Sequence, residues 1–182
     1  LIYRRVDAIF CPAPSHRPTF LHFGFTPDQI FFGVNAVDNN FFSPNNSQGE
    51  EFNIKHSETK DYLISISRQI PTKNLNRTIN TFISFKEKNT DSSLRFLLIG
   101  GGPEHELLKK IASENPNAEI SFKPFQNQAE LSKLFNKAKA LILPSLGETW
   151  GLVVNEAMAS GLPVLVSRQC GCAETLVHEG EN

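Results

Sequence analysis

From residue 62 onward the chain alternates short apolar runs with longer amphipathic stretches, and that alternation restricts the fold more than any other feature. Tyr62 to Ile66 reads as a strand; Leu75, Ile79, Phe82 and Ile83 form a helical stripe; Leu94 to Ile99 is an apolar strand. Pro103 then opens a helix carrying Leu107, Leu108 and Ile111, with Glu104 and Glu106 well placed in its first turn. Ile120 and Phe122 alternate as a strand, and Leu131, Leu134, Phe135 and Ala138 mark the next helix. Strands alternating with helices imply βαβ crossovers, hence a doubly wound parallel sheet covered on both faces, an α/β Rossmann-like fold.

The last crossover, Leu141 to Ser167, is the most specific part of this pattern. LILP is a buried strand ending at Pro144, GLVVNEAMAS is a helix stopped by Gly161-Leu162-Pro163, and VLV is another buried strand. Between the first strand and the helix sits the loop Gly147-Glu148-Thr149-Trp150-Gly151. A loop that presents backbone N–H groups at a helix start, beyond the carboxyl end of a parallel strand, is where such sheets bind anions. Two carboxylates, Glu148 and Glu156, flank that helix start.

The 182 residues suffice for one full domain plus a remnant, and 40% hydrophobic residues suits a globular core. A net charge of −1 with no long block of either sign argues against nucleic acid as a partner. Three cysteines, Cys11, Cys170 and Cys172, make neither a disulfide framework nor a four-ligand zinc site, and read as free thiols in a reducing cytosol. Asn45-Asn46-Ser47 and Asn76-Arg77-Thr78 fit the glycosylation sequon, which carries little weight without a signal segment. Met158 is the one methionine and Leu1 no initiator, so a fragment of a longer protein is expected.

Residues 1–33 contain one strand-helix-strand unit. Val6 to Cys11 is its first strand, Ser15 a candidate cap for a short helix with Pro18 in its first turn, and Gln29 to Phe32 its second apolar run. His16 and His22 read as surface or half-buried side chains, and Arg4, Arg5 and Arg17 as a solvated face that would otherwise suit an acidic acceptor or lipid surface. From Val34 to about Lys60 the composition turns to Asn, Ser and Glu, which marks an interdomain linker before a second domain at 61–182.

Three features lie just past strand ends, and therefore on one rim: Arg68 with Lys73, the run Gly100-Gly101-Gly102-Pro103, and the loop around Glu148. The glycines are neither a dinucleotide fingerprint, since His105 stands where its third glycine belongs, nor a P-loop, since Gly-Lys-Ser/Thr is absent. They mark a tight turn where a ligand or a neighbouring loop can approach the backbone. A helix N-terminus contributes only about 0.3–1 kcal/mol to an exposed anion, whereas charge-assisted hydrogen bonds add on the order of 1.5–3 kcal/mol each. A diphosphate at Trp150-Gly151 would thus need an arginine and a lysine nearby.

The two glutamates do not suit glycoside hydrolysis. Eight residues of helix rise about 12 Å, while hydrolase carboxyl pairs lie about 5–9.5 Å apart. An ionised carboxylate is acceptor-only, so each is better matched to sugar hydroxyls. One nucleotide sugar offers two hydroxyl-bearing parts, ribose and hexose, with diphosphate between them.

Glu148-x7-Glu156 in the setting PSLGETWGLVVNEAMASGLPV resembles the signature of retaining glycosyltransferases of family 4, whose GT-B fold sets two Rossmann-like domains across a cleft. Arg68 with Lys73 resembles that family's Arg-x4-Lys pair, and Ile99 to Pro103 its Val-Gly-Asp-Gly-Pro loop. Gly171 to Glu174 resembles its Gly-x-x-Glu turn, and Gly33-Val34-Asn35 the Gly-Val-Asp segment opening its C-terminal domain. The resemblance implies that 61–182 is the C-terminal, nucleotide-sugar-binding domain, truncated at its end, and 1–33 the tail of the N-terminal acceptor domain. It implies that Arg68 and Lys73 bind the donor diphosphate, Glu148 the donor sugar and Glu156 the ribose. Backbone N–H groups of Trp150, Gly151 and Leu152 would meet sugar or phosphate, with Gly101 and Gly102 also on the donor.

The chain departs from the family where Gly101 replaces the usual Asp, Thr149-Trp150 the common Gly-Phe, and Pro124 a glycine near the nucleotide base. The implied activity is transfer of a hexose from a nucleotide diphosphate sugar to a hydroxyl of a glycan or lipid-linked acceptor, with retention and with no metal or other cofactor. The fragment alone is expected to be inactive. A cytoplasmic location is expected, with room for peripheral membrane contact through the N-terminal domain. Two alternatives stay open, a GT-B nucleotide-sugar epimerase and a non-catalytic sugar-nucleotide-binding protein.

Overall fold

The computed structural model describes residues 5–33, 35–44 and 62–181. Arg4, Val34, the sequon at Asn45-Asn46-Ser47 and residues 45–60 of the expected linker lie outside the described residues.

The N-terminal unit is a parallel pair of very short strands. β1 (Ile9–Phe10) runs beside β2 (Ile30–Phe31), with Ile9 opposite Ile30. The strand expected over Val6–Cys11 shrinks to two residues because β2 is itself two residues long and pairs in register with Ile9 and Phe10 alone. Between the strands a 3-10 turn at Pro14–His16 leads into α1 (Arg17–His22). Ser15 does not cap α1; it sits inside the 3-10 turn, and the cap position falls to His16 without a side-chain hydrogen bond. Cys11, Phe25 and Ile30 form a small core of their own.

A helical turn, α2 (Asn39–Phe42), follows within the stretch expected as linker. Asp38 caps it by accepting from the Phe41 N–H at 3.0 Å. Phe42 is 1% exposed and belongs to the core of the larger sheet, its ring 6.3 Å from that of Phe135. The main domain thus draws on an aromatic anchor from ahead of residue 61.

The main sheet has five parallel strands. In chain order the elements are β3 (Tyr62–Ile66), α3 (Leu75–Lys88), β4 (Arg95–Ile99), α4 (His105–Glu114), β5 (Ile120–Lys123), α5 (Gln128–Lys137), β6 (Ala138–Leu143), α6 (Leu152–Ala159), β7 (Val164–Val166) and α7 (Ala173–Leu176). The spatial order is β5-β4-β3-β6-β7. The sheet grows one way from β3 through β5, and α5 then carries the chain back to place β6 on the other side of β3. The carboxyl ends of β3 and β6 therefore border a topological switch point, the crevice where open α/β sheets bind ligands.

Period-two alternation divides the apolar residues between two faces. On β4, Phe96 and Leu98 join Leu75, Ile79, Phe82 and Leu108 under α3 and α4. Leu97 and Ile99 point the other way, to Leu131, Phe135, Val154 and Ala157 of α5 and α6. Such double burial is why the strands read as near-continuous apolar runs. One polar device reinforces it: the buried Lys86 ammonium, at the end of α3, donates to Ser92 O at 2.6 Å, Leu94 O at 3.1 Å and Glu119 Oε2 at 2.8 Å.

Helix α4 starts at His105, two residues later than Pro103 implies. Pro103 and Glu104 form a turn instead, because the Glu104 N–H donates to Gln69 O at 3.1 Å, in the loop after β3.

Candidate functional site

Loops from three strands converge at the switch point. After β3 the chain passes through Arg68 and Gln69 into a 3-10 turn, Pro71–Lys73, and then through Asn74, whose φ of 56° is left-handed. This loop is tied to the one after β6: the Leu146 N–H donates to Thr72 O at 2.8 Å, and Asn74 Nδ2 to Pro144 O at 3.3 Å.

The glycine turn after β4 packs on the same loop. A β-carbon at Gly100 (φ +124°) would overlap the Ser67 carbonyl oxygen, and one at Gly102 (φ +155°) the Gln69 carbonyl oxygen. Positions 100 and 102 thus lie against the neighbouring loop, one of the two uses expected for these glycines, and both also border the cleft beside the turn. Gly101 has no atom within 4 Å of where its β-carbon would lie, and is exposed. Gln69, fully buried, joins the pieces by donating from Nε2 to Gly100 O at 3.2 Å, with Oε1 2.7 Å from His105 Nδ1. No pattern in the sequence marks Gln69, because its partners come from another loop and another helix. Beside this turn lies a cleft of about 460 Å³, lined by Gly100, Gly101, His105, Lys109, Phe122 and Phe125 among others.

The loop carrying Glu148 is held as an extension of the sheet. Beyond β6 and β7 the pairing continues: Ser167 N–H donates to Leu143 O at 3.0 Å, Glu148 N–H to Gln169 O at 3.2 Å, Gly171 N–H to Glu148 O at 2.8 Å and Cys172 N–H to Trp150 O at 3.0 Å. Gly151, at φ +102°, turns the chain into α6; a β-carbon there would stand 2.8 Å from Leu143 Cδ2. Trp150 Nε1 donates to Asn155 Oδ1 at 2.8 Å, which fastens the loop to the first turn of the helix. Because α6 begins only at Leu152, the uniform helical rise assumed between Glu148 and Glu156 holds for the second half of that interval alone.

Lys73 and Glu148 meet here as an ion pair, with side chains 15% and 21% exposed. The sequence assigned them to different parts of one ligand and did not anticipate their contact. Arg68 lies exposed at the end of β3 and, among the described residues, pairs with no carboxylate. Leu152 is exposed and Trp150 half-buried. Val154 is the first residue of α6 whose N–H is taken up, by Gly151 O at 2.9 Å; the earlier N–H groups form the open end of the helix.

Glu156 is 8% exposed. Burial pushes its carboxyl pKa up, opposed by a hydrogen bond with the Gln128 side chain at the start of α5. The cysteines are free thiols. Burial, with the neighbouring Cys170, pushes Cys172 up to about 12, and burial raises Cys170 as well. Both are protonated at neutral pH and unsuited to act as nucleophiles. Among the described residues no three of His, Cys, Asp or Glu gather where a metal ion could be held, and no helix is long and apolar enough to cross a membrane.

The family described as Glycosyl transferases group 1 matches residues 47–182. Among curated relatives, an uncharacterized glycosyltransferase YqgM of Bacillus subtilis is 29% identical over 138 residues, covering 75% of this chain and 38% of that protein. The sulfoquinovosyl transferase SQD2 of Arabidopsis thaliana is 27% identical over 182 residues, covering 99% of this chain and 34% of its own. The chain therefore spans well under half the length of either relative. Among solved structures, the pneumococcal O-GlcNAc transferase GtfA in complex with UDP and GlcNAc superposes with a TM-score of 0.72 at 20% identity, covering 100% of this chain and 34% of that one.

Proposed function

Because this chain belongs to the group 1 glycosyl transferases, we propose that it forms the donor-binding part of an enzyme that transfers a hexose from a nucleoside diphosphate sugar to a hydroxyl of a glycan or lipid-linked acceptor, with retention of configuration. The observation that carries this reading is the meeting of Lys73 and Glu148 at the N-terminal end of α6, on the helix that buries Glu156. One cation and one carboxylate thereby meet ahead of the start of α6 at the switch point, and Glu156 lies further along that helix. The GtfA structure, described as a complex with UDP and GlcNAc, supports the same class of ligand.

In this reading Lys73, Arg68 and the first N–H groups of α6 hold the diphosphate. As the bond from sugar to phosphate breaks, negative charge grows on the leaving diphosphate, and these donors are already in place to stabilise it. They perform the neutralising role that a metal ion would otherwise take. Glu148 accepts from hydroxyls of the transferred sugar and Glu156 from the ribose. Gly101, open beside the cleft, allows the ligand to approach the backbone there. The acceptor would be met by sequence outside this chain, where peripheral membrane contact is also placed. The free cysteines favour the cytoplasm.

Calorimetry with UDP tests the site. Lys73→Ala and Glu156→Ala should each weaken binding by about tenfold or more, as loss of one charge-assisted hydrogen bond implies. Unchanged affinity in both overturns the assignment. A nucleotide sugar converted without any acceptor would point instead to an epimerase, and a donor bound by the longer protein but never transferred to a binding protein.

A further inference from the structure

Lys73 and Glu148 neutralise each other, and the backbone on both sides of the pair is pinned. Thr72 O and the Asn74 side chain are bonded to the loop after β6. The Glu148 N–H and carbonyl are both used in the pairing to Gln169 and Gly171. A ligand can therefore separate the two charges by side-chain rotation, with the backbone left where it is. When a diphosphate takes Lys73, the half-buried Glu148 carboxylate is left beside a second anion. An ionised carboxylate has no proton to donate and repels phosphate. A ligand that brings hydroxyl donors to that point restores a partner to Glu148.

We propose that Glu148 is the residue by which this site discriminates a nucleoside diphosphate sugar from the bare nucleoside diphosphate, substrate from product. The inference rests on the function proposed above and adds an energetic consequence to it. With the sugar attached, the loss of the Lys73 contact is offset by hydroxyl hydrogen bonds to Glu148. Once the sugar has left, Glu148 recaptures Lys73 and favours release of the diphosphate. The coupling is reciprocal: whatever weakens the hold of Glu148 on Lys73 while leaving the ammonium in place tightens the binding of the bare diphosphate.

The test is calorimetry of the whole chain with pyrophosphate, UDP and UDP-glucose, on wild type, Glu148→Gln, Glu148→Asp and Lys73→Ala. Pyrophosphate removes dependence on the base. Glu148→Gln, which keeps the shape and removes the charge, is expected to tighten pyrophosphate and UDP by about tenfold without tightening UDP-glucose. Glu148→Asp, which keeps the charge, should stay near the wild-type ratio of UDP-glucose to UDP affinity. A ratio unchanged by Glu148→Gln, or shifted equally by Glu148→Asp, overturns the discrimination role. Lys73→Ala, with Glu156→Ala beside it, separates the two levels: wild-type UDP affinity in both variants means the site itself is wrong, whereas weakened UDP with an unchanged ratio in Glu148→Gln means only the role of Glu148 is wrong.

Discussion

Gly171 packs its α-carbon so closely on the carbonyl oxygen of Thr149 that a β-carbon there would overlap that oxygen and stand 2.9 Å from the β-carbon of Ala13. This contact sets the spacing between the Glu148 loop and the segment leading to α7, and it brings in the N-terminal unit. Gly171→Ala should destabilise the chain by about 1–3 kcal/mol, the usual cost of forcing volume into a packed site, because its neighbours are the Thr149 backbone and the Ala13 methyl, neither of which can rotate away. Urea denaturation measures it. Ser15→Ala, at an exposed position in the 3-10 turn, should lie within about 0.5 kcal/mol of wild type.

The three glycines after β4 should behave unequally. Gly100→Ala and Gly102→Ala meet the carbonyls of Ser67 and Gln69 at positive φ, so each should cost about 1–3 kcal/mol. Gly101→Ala faces open space and should leave the urea midpoint within experimental error. Equal costs at all three positions would contradict the packing of the turn on the β3 loop.

Lys86→Met keeps much of the buried stem and removes the ammonium from Ser92 O, Leu94 O and Glu119. Two carbonyls are left short of a donor, so a loss of about 1–3 kcal/mol is expected. Glu119, about half exposed, can return to water. Glu119→Gln should therefore cost less than Lys86→Met in the same denaturation assay.

The strands and helices of the main sheet were legible from the sequence because both faces of the sheet are covered, which makes the apolar runs continuous and the helical stripes one-sided. The placing of Lys73 and Glu148 near one helix start was legible from the same order of elements, since parallel strands put all their following loops on one rim. Contacts between distant loops were not legible. Gln69 looks like any loop glutamine until its partners, Gly100 and His105, are known. Phe42 sits in Asn- and Ser-rich sequence that reads as linker, and its burial depends on α5 offering Phe135. Ser15 has the chemistry of a helix cap, yet the prolines at 14 and 18 favour a 3-10 turn followed by a new helix start. The ion pair was missed for a related reason: composition says which charges reach a rim, and only the loop ties say which of them touch.

Glu156 makes stability and binding respond to pH in opposite directions. Its folded pKa is raised above the ordinary glutamate value by burial, so the folded chain holds that proton more tightly than the unfolded one. The resulting stability is fully present below the ordinary glutamate range and is lost as pH rises through the raised folded value. Ribose hydroxyls need the ionised acceptor, so UDP affinity should rise over the same window. Glu156→Gln should flatten the stability profile in that window, as measured by denaturant midpoints at a series of pH values. Its UDP affinity should keep only the pH dependence contributed by the phosphate.

Backbone amide NMR during a UDP titration tests the central claim most directly, since it reports where the ligand sits independently of any substitution. The largest shifts are predicted at Trp150, Gly151, Leu152 and Val153, with a second group from Arg68 to Asn74, while the amides of β7 and of the far end of α3 stay put. Saturable shifts confined to residues away from these loops, or none at UDP concentrations that saturate calorimetric binding, would contradict a diphosphate site at the Lys73 and Glu148 pair.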